Sequence, residues 1–187
     1  NPVDLIEKYG SPLYVYNENI LRERCRDLKE LINYDKFTVN YSPKANSNIE
    51  LLKIVKSEGL HVDAMSPGEI YVNLMAGFKP DQIFYISNNV SRDEMLYAIH
   101  AGVRISVDSV SQLELFGKIN PGGRVAFRVN PGYGAGHHEK VKTAGKNTKF
   151  GIDMEYIPDV KRIAEAYNLK IIGINQHVGS LFMEGDA

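Results

Sequence analysis

Tyr41-Ser42-Pro43-Lys44-Ala45-Asn46 follows Phe37-Thr38-Val39-Asn40, a run that reads as a β-strand. Just beyond it, Ser47 and Glu50 have the spacing of a helix capping box. Lys44 therefore stands where a strand hands over to a helix. In a parallel α/β protein that junction is where ligands bind. A lysine there can be a surface charge, a phosphate contact or a Schiff-base nucleophile.

Outward from this stretch the pattern repeats. Apolar strand candidates start near Phe37, His61, Gln82, Arg104 and Arg124, in steps of 24, 21, 22 and 20 residues. Between them lie helix candidates with S-x-x-E at or near the start: Ser47/Glu50, Ser66/Glu69, Ser91/Glu94 and Ser111/Glu114. Three of these helices run up to a glycine suited to a left-handed C-cap: Gly59, Gly77 and Gly102. A lone S-x-x-E means little, but four in phase with the apolar runs define a βα unit repeated at about 22 residues. Alternating strands and helices imply a parallel sheet. The short, even steps point to a (β/α)8 TIM-type barrel, and no G-x-G-x-x-G follows any strand.

Before the repeat, residues 3–9 read as a short helix ending at Gly10, and Pro12–Tyr16 as a strand. Asn17 caps a helix running to about Asn33. On it, Leu21, Cys25, Leu28 and Ile32 share one face, so the single cysteine is read as a small buried apolar residue. After the fifth strand the rhythm breaks. Residues 130–148 are too polar and glycine-rich for an element and read as a long loop, of the kind that is usually functional. A helix over 155–167 and a sixth strand, Lys170–Gln176, complete the series. Six barrel strands in 187 residues, where a closed barrel has eight, lead us to expect an incomplete barrel and a chain that is a fragment.

Composition excludes several classes. Hydrophobic residues make up 43% and charged residues 24%, and the formal net charge is −1. Neither a nucleic-acid nor an anionic-membrane partner is expected. No apolar run has the length of a membrane span. With one cysteine and no signal-peptide pattern, a cytoplasmic location is expected. His137 and His138 invite a metal reading, but no third ligand has suitable spacing, so no metal is expected.

The motifs have a family likeness. Tyr41–Asn46 resembles the Y-A-V-K-A-N motif of fold-type III pyridoxal-phosphate enzymes. His61-Val62-Asp63-Ala64-Met65-Ser66-Pro67-Gly68-Glu69 resembles V-D-x-x-S-x-G-E, and Arg128-Val129-Asn130-Pro131 matches R-V-N-P. Gly134-Ala135-Gly136-His137-His138 and Lys149-Phe150-Gly151-Ile152 resemble the G-A-G-H-H and K-F-G-I stretches of the diaminopimelate decarboxylase branch, and His177-Val178-Gly179-Ser180 matches H-[IV]-G-S. The likeness runs from about residue 10 to the end.

This resemblance implies a barrel of the alanine racemase and ornithine decarboxylase type, with pyridoxal 5'-phosphate as cofactor. Residues 1–33 would lead into it, strand 12–16 would belong to a β-domain the chain lacks, and 34–187 would form a partial cofactor-binding barrel. The implied enzyme is a carboxy-lyase turning meso-2,6-diaminopimelate into L-lysine and carbon dioxide, as a homodimer at full length. The isolated chain would have little or no activity.

Lys44 is implied as the Schiff-base lysine and a proton carrier. His177, which alone would read as a satisfied strand histidine, is implied as a ring stacked on the cofactor, and is the second catalytic candidate. Asp63 and Arg128, which alone would read as a buried ion pair or two solvated charges, are implied beside the lysine and near the cofactor's phenolic oxygen. Ser180 and the backbone at Gly179 are implied as phosphate contacts. Pro43 replaces the motif's usual Val and removes a backbone donor beside the site. Alternatives are a decarboxylase for ornithine, arginine, carboxynorspermidine or a carrier-bound amino acid. More distant are an amino-acid racemase, a non-catalytic pyridoxal-phosphate binder and a lysine-dependent aldolase.

Overall fold

A computed structural model describes residues 1–86, 88–136, 144–145 and 148–180. Its frame is a parallel sheet in which β1 (Asn40–Tyr41), β2 (His61–Ala64), β3 (Ile83–Ile86), β4 (Arg104–Val107) and β5 (Arg124–Asn130) pair in sequence order. Helices α3 (Ile49–Ser57), α4 (Pro67–Met75), α5 (Arg92–Ala101) and α6 (Val110–Ile119) connect them. Before the sheet come α1 (Pro2–Tyr9) and α2 (Glu18–Glu30). After β5 come β6 (Ala135–Gly136), β7 (Ile152–Asp153), α7 (Ile157–Ala166), β8 (Lys170–Asn175) and β9 (Gly179–Ser180). β8 pairs with β5 beside the two-residue β7. The six strands of the sequence reading are therefore β1–β5 and β8. β1 and β8 do not meet among the described residues, so the barrel is partial.

Alternation along the strands sorts side chains to two faces. Val62, Ala64, Ile83, Tyr85, Ile105, Val107, Val125, Phe127 and Val129 face the helices and are buried with Leu52, Val55, Ile70, Met95, Leu113, Phe116 and Ile163. At about 25 cal/mol per Å² of apolar surface, this layer is the main stabilising term. The other face carries His61, Asp63, Phe84, Arg104, Ser106, Ala126, Arg128 and Asn130. Register aligns Asp63 with Phe84, Phe84 with Arg104, and Ser106 with Ala126. Polar groups thus cross the barrel side while the helix side stays apolar.

The caps explain the helix starts, with two corrections. Ser91 and Glu94 form a reciprocal box: Ser91 Oγ accepts from the Glu94 N–H at 3.3 Å, and Glu94 Oε2 accepts from the Ser91 N–H at 2.8 Å. Ser66 caps α4, while Glu69 reaches one residue further back to the Met65 N–H at 2.6 Å. The cap of α3 is Asn48 rather than Ser47, because its carboxamide oxygen serves both the Glu50 and Leu51 N–H groups. The cap of α6 is Ser109 rather than Ser111, with Gln112 in the acceptor role toward the Asp108 N–H at 2.8 Å. Gly59, Gly77 and Gly102 all have positive φ at helix ends, as the spacing requires.

Other readings change. Residues 12–16 form no strand: among the described residues no strand pairs with them, and Tyr14 and Val15 are exposed. On α2, Cys25 is buried at 4% exposure and Leu21 is half-buried, but Leu28 and Ile32 are exposed. The helix stops at Glu30, so Ile32 leaves the stripe. α2 is instead tied to α3 by charge. Glu58 accepts from Arg22 and Arg26, each at 2.8 Å, and Lys29 donates to the Glu58 carbonyl at 2.8 Å. The loop after β5 is not wholly irregular: Ala135–Gly136 pairs in parallel with Gly179–Ser180. A two-residue ladder uses backbone groups alone, and so leaves no apolar pattern to read.

Candidate active site

The candidate residues collect at one end of the sheet, beyond the C-terminal ends of its strands. Ser42, Pro43, Lys44 and Ala45 form a turn closed by the Ala45 N–H donating to the Ser42 carbonyl at 3.1 Å. Pro43 is second in this turn, where its fixed φ is favoured and no N–H is needed. That accounts for the donor it removes. Asn46 then fixes the exit: its Oδ1 accepts from the Asn48 N–H at 3.0 Å, its Nδ2 donates to Tyr16 Oη at 2.8 Å, and its carbonyl accepts from Tyr41 Oη at 3.2 Å. Lys44 is exposed at the crest, and no hydrogen bond or ion pair among the described residues engages it.

Asp63 lies next to this turn, near the end of β2. Ser42 Oγ donates to its Oδ2 at 2.5 Å, Asn73 Nδ2 donates to its carbonyl at 3.0 Å, and its Oδ1 is buried without a partner. Burial pushes the Asp63 carboxyl above the usual range; the Ser42 hydrogen bond and the Lys44 charge pull the other way, and Glu69 adds to the rise.

Arg128 projects from β5 into a second cluster. Its guanidinium lies 3.9 Å from Asp108 Oδ1, with both side chains 9% exposed, and 5.1 Å from the centre of the Phe150 ring. Burial lowers the Arg128 pKa against the pull of Asp108. The Asp108 carboxyl is raised by burial, opposed by hydrogen bonds from the Gly151 N–H and the Asn88 side chain and by the Arg128 and Lys149 charges. Asp63 and Arg128 thus keep separate partners, Ser42 and Asp108, rather than forming the ion pair that was one reading of them.

Asn130 anchors the loop above. Its Oδ1 accepts from the N–H groups of Gly132 and Gly145, at 3.1 and 3.0 Å, and its Nδ2 donates to the Gly145 carbonyl at 3.0 Å. Gly151 has φ +82°, and a Cβ there would stand 2.8 Å from the Asn130 nitrogen. The K-F-G-I stretch is therefore folded flat against the end of β5.

His177 follows β8 by two residues and is exposed. Its pKa is lowered, first by partial desolvation and then by the Arg128 and Lys44 charges. The imidazole thus feels charges from both the Lys44 turn and the Arg128 cluster. Gly179 and Ser180 form β9, against Ala135 and Gly136. His137 and His138 lie outside the described residues.

The structure thus brings Lys44, Asp63, Arg128 and His177 to one end of the sheet, with Gly179 and Ser180 just after. Sequence reasoning missed Ser42, Asn73, Asp108, Asn130 and Gly151. Asp108 had a signal: it follows Ile105-Ser106-Val107 at a strand end, much as Asp63 follows His61-Val62. A lysine amine and a buried carboxylate oxygen, both without partners on adjacent strand ends, with an arginine and an imidazole nearby, fit a ligand bearing a carbonyl, an aromatic ring and an anionic group.

Comparison with known proteins bears on which ligand that is. Residues 18–187 match the family profile described as pyridoxal-dependent decarboxylase, pyridoxal binding domain. The diaminopimelate decarboxylase of Methanothermobacter thermautotrophicus is 48% identical over 181 residues, which are 95% of this chain and 42% of that protein. The diaminopimelate decarboxylase of Escherichia coli K12 is 33% identical, over 96% of this chain and 43% of that protein. A crystal structure of the Helicobacter pylori diaminopimelate decarboxylase complexed with L-lysine superposes with a TM-score of 0.91 at 26% identity, covering 98% of this chain and 48% of that one. The chain spans less than half the length of the curated relatives it matches.

Proposed function

The chain belongs to the pyridoxal-dependent decarboxylases, and from that premise we propose that it is the cofactor-binding part of an enzyme converting meso-2,6-diaminopimelate to L-lysine and carbon dioxide. The observation that carries this reading is Lys44. Its amine is exposed and unengaged at the end of β1, within the electrostatic reach of Asp63 and His177. The 48% identity to a diaminopimelate decarboxylase supports the choice of substrate over ornithine or arginine.

Bound pyridoxal phosphate would supply a conjugated ring that takes up the electron pair left when carbon dioxide departs. The chain's residues divide the remaining work. Lys44 would hold the cofactor through its amine, and the same nitrogen is placed to carry a proton. Asp63 holds a carboxylate beside that amine. His177 would offer the cofactor ring a flat face, and its burial with the Arg128 and Lys44 charges disfavours the charged imidazole. Arg128, kept rigid by Asp108 and Phe150, offers a fixed positive charge. The backbone at Gly179 and the residue Ser180 serve the phosphate. Residues 1–33, with the exposed segment 12–16, serve as the approach to the barrel and contribute to a β-domain; residues 34–187 bear the site. The active form is a cytoplasmic homodimer without a metal. No helix among the described residues is long and apolar enough to cross a membrane.

The test is carbon dioxide release from meso-diaminopimelate, ornithine and arginine by the protein containing this chain, with and without pyridoxal phosphate. Cofactor-dependent release from diaminopimelate, with lysine as product and loss of turnover in Lys44→Ala, is expected. Preference for ornithine or arginine would transfer the reading to another decarboxylase of the family.

A further inference from the structure

Three buried side-chain oxygens among the described residues make no hydrogen bond, those of Asp63 (Oδ1), Asn73 (Oδ1) and Ser106 (Oγ), and the one on Asp63 stands beside the lysine turn. Asp63 Oδ1 is buried and makes no hydrogen bond, although its sister oxygen and its own carbonyl are both engaged. Buried acceptors are usually satisfied, so one left open beside a lysine asks for a physical account. Rotation about the carboxylate bond would exchange the two oxygens; the Ser42 hydroxyl selects one of them. Ser42 is also the first residue of the turn that presents Lys44, through its carbonyl to the Ala45 N–H. One residue therefore braces both the lysine turn and the carboxylate. The motif that this stretch resembles, Y-A-V-K-A-N, has alanine there, so the hydroxyl is a feature of this chain.

We propose that Ser42 is a positioning residue, which holds one oxygen of Asp63 so that the other is kept for the Lys44 amine and whatever that amine carries. Three groups then act on the Asp63 carboxyl: Ser42 and Lys44 from the turn after β1, and Glu69 from α4. Ser42 and Lys44 favour its charged form; Glu69 and burial oppose it. Without the hydroxyl the carboxylate loses its strongest stabilising partner and its fixed orientation. Asn73 donates to the Asp63 backbone carbonyl and not to its carboxylate. The reach of this effect to the cofactor rests on the assignment of Lys44 proposed above; the coupling of Ser42 to Asp63 does not.

The experiment therefore has two parts. The carboxyl 13C resonance of Asp63 is titrated in the cofactor-free protein as wild type, Ser42→Ala and Ser42→Thr. The midpoint is expected to move up in Ser42→Ala and to return toward wild type in Ser42→Thr; equal midpoints in all three would overturn the proposal. Far-UV circular dichroism confirms that the variants fold. The pH midpoint of the visible band formed by pyridoxal phosphate on Lys44 is then followed in wild type and Ser42→Ala, each with Asp63 and with Asp63→Asn. A less ionised Asp63 supports a positive charge on Lys44's nitrogen less well, so Ser42→Ala lowers the midpoint. In the Asp63→Asn background the same change has no effect. An equal shift in both backgrounds would show that Ser42 does not act through Asp63. If wild type gives no band at all, the cofactor reading fails, and the carboxyl titration still decides the role of Ser42.

Discussion

A single methyl group at Gly151 tests how the loop is held against Arg128. Gly151 has φ +82°, and a Cβ would stand 2.8 Å from the Asn130 nitrogen, 3.0 Å from the Val129 carbonyl carbon and 3.3 Å from Arg128 Cγ. Two of these atoms belong to the backbone of β5, which cannot rotate away. For Gly151→Ala the left-handed conformation costs about 1–2 kcal/mol. Relief of the contact by a backbone shift adds about 1–3 kcal/mol. The stiffer unfolded chain returns about 0.4–1 kcal/mol, so the net loss falls in a range of about 1–5 kcal/mol with its centre near 3. Gly122→Ala is the control. Its φ is +75° with no atom within 4 Å of the added Cβ, so only the conformational cost applies, and the net loss is about 1 kcal/mol. Urea melts followed by circular dichroism report the difference: at an m-value of about 2 kcal/mol/M, the Gly151 midpoint falls by about 1 M or more, and the Gly122 midpoint by about half that. Equal losses in the two variants would refute the close packing of the K-F-G-I stretch on β5.

Phe150→Leu keeps the apolar bulk but removes the ring over Arg128, and is expected to lower stability by about 0.5–2 kcal/mol in the same melts; in an Arg128→Met background that loss shrinks if the ring acts through the guanidinium. Asp63→Asn is expected to stabilise the cofactor-free protein at neutral pH. The folded carboxyl titrates above its unfolded value, so its contribution is fully present below the unfolded value and is lost as pH rises through the folded midpoint. The urea midpoints of wild type and Asp63→Asn should therefore diverge as pH rises through that window, with wild type the lower. Glu58 gives the opposite profile. Arg26 and Arg22 hold its carboxyl at about 2, so its stabilising effect is present above the ordinary 4.5 and fades as pH falls toward 2. In Glu58→Gln, stability should change less across that acid range than in wild type.

The helix side of the fold was legible because apolar residues recur there at every second strand position, although β4 and β5 are buried on both faces. Val62, Ile83, Ile105 and Val125 mark the strands, and S-x-x-E or its Gln variant marks the helices. Strand count and parallel order followed from that rhythm. Cap positions slipped where two cap-competent residues compete: Asn48 beside Ser47, and Ser109 two residues before Ser111. Residues 12–16, expected to pair within a β-domain outside this chain, find no partner strand among the described residues, and a strand needs one. At the site, the positions of Lys44, Asp63, Arg128 and His177 near strand ends were legible, while the roles expected of them came from the motifs they stand in. Their partners were not. Ser42 to Asp63, Asp108 to Arg128 and Asn130 to Gly145 are joined across strands or loops, and no local spacing encodes such pairs. Pro43 appeared as a lost donor in sequence, yet the turn it opens has no use for that N–H.

Lys44 is the residue on which the cofactor assignment depends. The most direct measurement is borohydride reduction of the protein after addition of pyridoxal phosphate, followed by mass spectrometry of its peptides. One equivalent of reduced pyridoxyl label on Lys44, absent from unreduced samples and from Lys44→Ala, is the expected result. Label spread over surface lysines such as Lys53 and Lys161, with none enriched at Lys44, would contradict it.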